Sequence, residues 1–149
     1  MRDPLDRIVS VYNHHCKAGH HKYTKYLIQF ANLPFRDFLE KHVIPSFGDL
    51  AKQDGHWRPY INNCNICHNK FDVIIKMETF NEDKNMLGKM TNWTELYQPV
   101  HYNNPQYEFK ENKTRIRQLF ETVPMETRKA FVELYKYDFE MFDYHPYIF

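Results

Sequence analysis

The pair Asp3-Pro4 fixes where the first helix of this chain can begin. Aspartate suits the N-cap, because its carboxylate accepts from free N–H groups of the first turn. Proline suits the first helical position, where no N–H is needed. At about 100° per residue, Leu5, Ile8, Val9 and Tyr12 share one face, and Asp3, Arg7, Ser10 and His14 share the other. The spacing predicts a helix over residues 3–17 with an apolar back and a front bearing a cation and a hydroxyl. Arginine offers a planar fork of donors that matches phosphate oxygens, and serine adds a short donor. A solvated face of an ordinary amphipathic helix has the same periodicity, so the pattern alone leaves both readings open.

Further along, Pro34 opens a second helical stretch, with Phe35, Phe38, Leu39 and His42 at helical spacing, ending near Pro45. Residues 46–70, rich in Gly, Asn, Pro and Cys, read as a long loop, and such loops in compact domains are usually functional or cross-linked. The apolar, β-branched run Phe71 to Met77 predicts a buried strand. Thr79 and Glu82 have the spacing of a capping box for a helix to about Met90. Residues 92–111 read as loop. Helices are expected over 114–122 and 125–142, parted by Pro124, the second with Phe131, Leu134, Tyr135 and Phe139 on one stripe.

Composition narrows the classes. A chain of 149 residues supports one domain with a modest core. Its net charge of +1 supplies no global field for nucleic acid or an anionic membrane. No apolar run is long enough to span a bilayer, and no signal-peptide pattern stands at the start.

The stretch RDPLDRIVSVY (2–12) resembles the 3′-phosphate-binding motif of sulfotransferases that use 3′-phosphoadenosine 5′-phosphosulfate (PAPS). Its form is most similar to the Golgi carbohydrate sulfotransferases of the chondroitin 4-O and HNK-1 type. Other matching segments follow in the expected order: FRDFL (35–39), His56-Trp57-Arg58-Pro59, Cys64-x-x-Cys67, FDVIIKMETFNED (71–83) and LYKYDFEMFDY (134–144). Together they cover nearly the whole chain.

The resemblance implies an α/β architecture: a partial, P-loop-like sulfotransferase fold, mostly helical here, with few strands of the parallel sheet retained. Residues 1–149 would be a single partial domain lacking the N-terminal 5′-phosphosulfate-binding segment and the membrane anchor. It implies sulfate transfer from PAPS, without a metal, to a hydroxyl of a glycan or glycosaminoglycan in the Golgi lumen. The alternative is an inactive fragment, or a module that binds nucleotide or glycan. Arg2 and Ser10 match the family's 3′-phosphate ligands. Arg7 matches a basic position that assists them, its alternative being a salt bridge with Asp3 or Asp6.

His56 matches a motif near the acceptor cleft, and a histidine there can deprotonate a sugar hydroxyl. The plainer reading is that His56 and Trp57 pin the long loop. Cys64 and Cys67 suit a disulfide in a secretory compartment, either with each other or with a cysteine outside the chain. With His56 and His68 they also have the makings of a zinc site. Cys16 falls on the apolar face of the first helix. Asn92 and Asn112 head the sequons Asn92-Trp93-Thr94 and Asn112-Lys113-Thr114, which agree with a lumenal setting.

Overall fold

The computed structural model describes residues 1–17, 27–49, 52–92 and 113–149. Helix α1 spans Pro4–Tyr12 and continues as a π-helical turn over Asn13–Lys17. Its start follows the expected chemistry. Asp3 Oδ1 accepts from the backbone N–H of Leu5 at 2.8 Å, and Pro4 stands at the first helical position. Leu5, Ile8, Val9, Tyr12 and Cys16 are buried. Burial also pushes the Cys16 thiol up to about 12, so this cysteine is an inert core group.

A 3₁₀ turn (Leu27–Phe30) leads to the second helical stretch. It has three parts: α2 (Phe35–Phe38), a π turn (Leu39–Val43) and a 3₁₀ turn (Ile44–Ser46). Four further helices follow in the described parts of the chain: α3 (Tyr60–Asn63), α4 (Phe80–Thr91), α5 (Lys113–Glu121) and α6 (Met125–Leu134). Helix α7 (Lys136–Met141) completes the order. The single helix expected over 125–142 is interrupted at Tyr135, whose φ of −103° and ψ of 14° leave the helical region.

The core is held largely by aromatic edges. Tyr12 packs against Phe35 at 5.0 Å between ring centres, Phe35 against Phe120 at 5.1 Å, and Phe120 against Phe131 at 5.3 Å. Phe38 meets Trp57 at 5.6 Å, nearly perpendicular. Each such edge-to-face pair adds about 1 kcal/mol beyond the area it buries. This aromatic chain joins α1, α2, α5 and α6 and carries Trp57, hence the loop around it, into the core.

The expected mostly helical character is found, whereas the few strands of a retained sheet are not: among the described residues there is no strand. Residues 71–77 are extended but not buried, with Phe71, Ile74 and Met77 all exposed. The reason lies in pairing. A strand is stable only beside another strand, and the only partner this segment finds among the described residues is Met1. The Met77 N–H donates to the Met1 carbonyl at 2.7 Å, and the Met1 amine donates to the Ile75 carbonyl. That is the bond pattern of a parallel ladder, one residue long.

The capping box is also rearranged. Thr79 is the N-cap of α4 without a side-chain cap bond, and Asp83 takes the place expected of Glu82. The Asp83 carboxylate accepts from the Thr79 hydroxyl at 2.8 Å and from the Lys76 N–H at 2.9 Å, which ties the extended segment to the helix. These bonds hold the Asp83 carboxyl below its ordinary range. No helix among the described residues is long and apolar enough to cross a membrane.

Candidate functional site

The polar face of α1 is lined by the loop of residues 53–60, and Arg7 explains why. Its two terminal nitrogens donate to the carbonyls of Arg58 (2.8 Å) and Gly55 (2.9 Å). The guanidinium also lies 4.2 Å from the centre of the Tyr60 ring. Neither Asp3 nor Asp6 takes it as a salt-bridge partner, contrary to the alternative raised from sequence. Carbonyl oxygens two or three residues apart in a turn suit a forked donor better than one carboxylate does. Arg7 therefore acts as a clamp between helix and loop. Burial raises the Tyr60 hydroxyl pKa, and the charges of Arg7, which lies on its ring, and Arg2 oppose that rise.

Between the two carbonyls that Arg7 holds, His56 stands beside the continuation of α1. Its ring centre is 5.0 Å from that of the buried His15, which also packs edge-on against Phe30 at 5.9 Å and Trp57 at 6.1 Å. The loop thus contacts α1 at Arg7 and its π-helical extension at His15, and so brackets the turn that carries Ser10. Ser10 and Arg2 are half-buried.

The local fold around His56 is an aspartate turn. Asp54 Oδ1 accepts from the backbone N–H of His56 at 2.8 Å and contacts His56 Nδ1 at 2.5 Å. An ionised carboxylate has no hydrogen to give, so Nδ1 carries the proton of this contact, and the neutral ring in that tautomer has its lone pair on Nε2. The imidazole is two-thirds exposed while Asp54 is mostly covered, at 64% and 14% of their side chains. This is the arrangement of a general base: an oriented ring, a fixed tautomer and a nitrogen open to solvent. The Asp54-Gly55 pair was a readable turn signal. The role of Asp54 in orienting His56 was not read from it.

The loop is held from behind as well. Asp138 of α7 is buried and accepts from the backbone N–H groups of Tyr60 (2.7 Å) and Ile61 (3.1 Å). The hydroxyl of buried Tyr135 donates to the carbonyl of Trp57. The 134–144 segment thus anchors the His56 loop, so pinning of that loop and an oriented His56 coexist.

On the side of α1 where Asp3 lies, a cavity of about 470 Å³ is lined by Lys113, Arg117, Tyr144 and Tyr147, with Asp3 at its wall. Such a volume is in the range of small-ligand sites. Glu78 braces this end, accepting from the Asp3 N–H at 2.8 Å and the Tyr144 hydroxyl at 2.9 Å.

The remaining candidates lie apart from His56. Cys64 is half-buried, Cys67 is exposed, and both are free thiols in this structure. They do not gather with His56 and His68: among the described residues the one convergent group of potential metal ligands is His15, Asp54 and His56. Asn92 is exposed and ends α4 in the left-handed conformation, with φ of 52°. Asn112 lies outside the described residues.

Residues 1–145 match the family described as the sulfotransferase family. Among curated relatives, carbohydrate sulfotransferase 12 of Mus musculus is 26% identical over 74% of this chain and 25% of its own length. Carbohydrate sulfotransferase 11 of Rattus norvegicus is 23% identical over 97% of the chain and 45% of its own length. Carbohydrate sulfotransferase 9 of Homo sapiens is 25% identical over 97% and 36% respectively. The chain thus spans a quarter to just under half the length of these relatives. No solved structure matches it.

Proposed function

The chain belongs to the sulfotransferase family, and from that membership we propose that it serves the transfer of sulfate from PAPS to a hydroxyl of a glycan or glycosaminoglycan, in the Golgi lumen. One observation carries this reading: a single loop brings an Asp54-oriented His56 to the helix that bears Ser10, with Arg2 just before its N-cap. In this reading the two halves of the chemistry share one side of α1.

In this reading Arg2 and Ser10 hold the 3′-phosphate, by charge and by a hydroxyl donor. PAPS supplies the sulfuryl group. Arg7 keeps the loop in register with the nucleotide instead of contacting phosphate. His56 Nε2 takes the proton from the acceptor hydroxyl as that oxygen attacks sulfur; the bond from sulfur to the 5′-phosphate oxygen breaks, adenosine 3′,5′-bisphosphate leaves, and Asp54 stabilises the imidazolium that results. Binding at the 3′-phosphate aids transfer only by positioning the sulfate, because that end of the nucleotide does not react.

The test is sulfate transfer from labelled PAPS to a panel of desulfated glycosaminoglycans. His56→Ala is expected to lower kcat by about 10²–10⁴-fold, the usual contribution of a positioned base. Asp54→Asn lowers kcat through the wrong tautomer and leaves KM for PAPS unchanged. Transfer undiminished in His56→Ala would remove His56 from the mechanism. Nucleotide binding without transfer by the wild type would assign the chain a binding role instead.

A further inference from the structure

His15, Asp54 and His56 come from two separate parts of the chain, and their ligand atoms all lie within 4.8 Å of one another. We propose that they form a binding site for a divalent transition metal of the zinc class. Two imidazole nitrogens and one carboxylate oxygen are a common ligand set for such ions, and the remaining coordination positions are left to water. The sequence spacing pointed to Cys64 and Cys67 with His56 and His68 as the zinc alternative, and only His56 of those four belongs to the convergent group. The convergence points elsewhere.

The three groups also differ usefully in mobility. His15 is buried and fixed by Phe30 and Trp57. Asp54 is mostly covered and held in its turn, and His56 is exposed and tethered through Asp54. A metal with bonds near 2 Å draws its ligands to roughly 3–3.5 Å of one another. Metal binding replaces the 2.5 Å hydrogen bond between His56 Nδ1 and Asp54, whose proton is released, and rearranges the ligand atoms by about 1 Å, which an exposed ring can supply. His14, exposed and with its Nδ1 3.2 Å from His15 Nδ1, stands at the rim of the group.

The site stands without reference to sulfate transfer. Its consequence does rest on the proposed role of His56: an ion bound there takes the nitrogen lone pair and withholds the base. Bound metal and proton abstraction are then mutually exclusive, and zinc inhibits the reaction.

The experiment uses the full chain, stripped with a chelator and dialysed. Zinc binding is followed by competition with a chromophoric chelator, and Co²⁺ is used as a spectroscopic probe. The expected result is one equivalent of metal, with a Co²⁺ spectrum typical of nitrogen and oxygen ligands and no thiolate charge-transfer band. Asp54→Ala and His56→Ala should weaken binding at least about 10-fold. Both alter loop positions outside the core, so they carry the test even if His15→Ala loosens the packing around Phe30. The double variant Cys64→Ser/Cys67→Ser should bind as the wild type does. Absence of binding at micromolar zinc, binding retained in both Asp54→Ala and His56→Ala, or binding lost with the two cysteines would overturn the site. Metal bound as expected while transfer proceeds undiminished would instead overturn the base role of His56 and leave the site standing.

Discussion

The carboxylate of Asp138 accepts hydrogen bonds from the backbone N–H groups of Tyr60 and Ile61, at 2.7 and 3.1 Å. These are the first two residues of α3, whose N–H groups have no partner within the helix. Pro59 stands at the N-cap and has no side chain to offer them. Asp138 therefore caps α3 from another helix, and in doing so fixes the far end of the loop that carries Asp54 and His56. Function at the loop depends on a helix near the other end of the chain.

Asp138→Ala is expected to destabilise the fold by about 3 kcal/mol. Two partly buried N–H groups would lose a charged acceptor, and hydrogen bonds to charged groups contribute about 1.5–3 kcal/mol each, not additively. Urea unfolding followed by tryptophan fluorescence measures the loss, since Trp57 sits in the affected loop. A midpoint unchanged from wild type would mean that water replaces the carboxylate at no cost.

The pH response of Asp138 has a definite sign. Burial raises its pKa above the ordinary 3.8, and the bonds from Tyr60 and Ile61 only partly oppose the rise. Folding thus favours the protonated form. The contribution to stability is fully present below the unfolded value and is lost as pH rises through the folded value. The difference in unfolding free energy, wild type minus Asp138→Asn, should therefore fall across a window that opens near 3.8 and extends upward. Asp3, also raised chiefly by burial, responds with the same sign, whereas Glu40 and Asp83, held low by their hydrogen bonds, respond oppositely. The difference curve isolates Asp138 from all three. A curve that rises with pH would contradict the direction argued here.

Arg7→Lys tests the clamp. Lysine keeps the charge but is a single point donor, so it cannot serve the carbonyls of Gly55 and Arg58 together or stack as a plane on Tyr60. Arg7→Ala should cost about 2 kcal/mol, and lysine should recover less than half of it. The amide of Arg58, which donates to Asp54 within the loop, should exchange faster with solvent in both variants. Equal protection in Arg7→Lys and wild type would mean that charge alone holds the loop.

Local chemistry was legible in the sequence, and long-range pairing was not. Asp3, Pro4 and the Leu5–Ile8–Val9–Tyr12 stripe predicted α1 closely, because caps and periodicity are local signals. Phe131, Leu134, Tyr135 and Phe139 were read as one buried stripe and are all buried. The run from Phe71 to Met77 had the composition of a strand, but composition does not supply a partner, and only Met1 pairs with it among the described residues. The π turns at Asn13–Lys17 and Leu39–Val43 differ from α-helix by one hydrogen-bond step and leave no mark in residue type. At the site, His56 was recognised through its motif. His15 was passed over, because its burial beside His56 arises only once Phe30, Trp57 and α1 are packed together.

Ser10 offers the sharpest separation of binding from folding. It is half-buried on the turn of α1 bracketed by the loop contacts at Arg7 and His15, and it lies outside the apolar core. Its hydroxyl is proposed to donate to the 3′-phosphate. Loss of one hydrogen bond to a charged group weakens binding by about 1.5–3 kcal/mol, roughly 10- to 150-fold. Ser10→Ala is therefore expected to reduce affinity for adenosine 3′,5′-bisphosphate by that factor while leaving the thermal midpoint within about 2 °C of wild type, since alanine is a better helix former than serine. Adenosine 5′-monophosphate supplies the control. It lacks the 3′-phosphate, so wild type and Ser10→Ala should bind it equally weakly. Calorimetric titration of both nucleotides into both proteins gives a double-mutant cycle on the single contact. Arg2→Ala run through the same cycle should show a coupling at least as large, because a full charge is removed with the donor. Equal losses for both nucleotides would show that Ser10 shapes the helix and does not read the 3′-phosphate, and the assignment of the α1 front face to that phosphate would then fall.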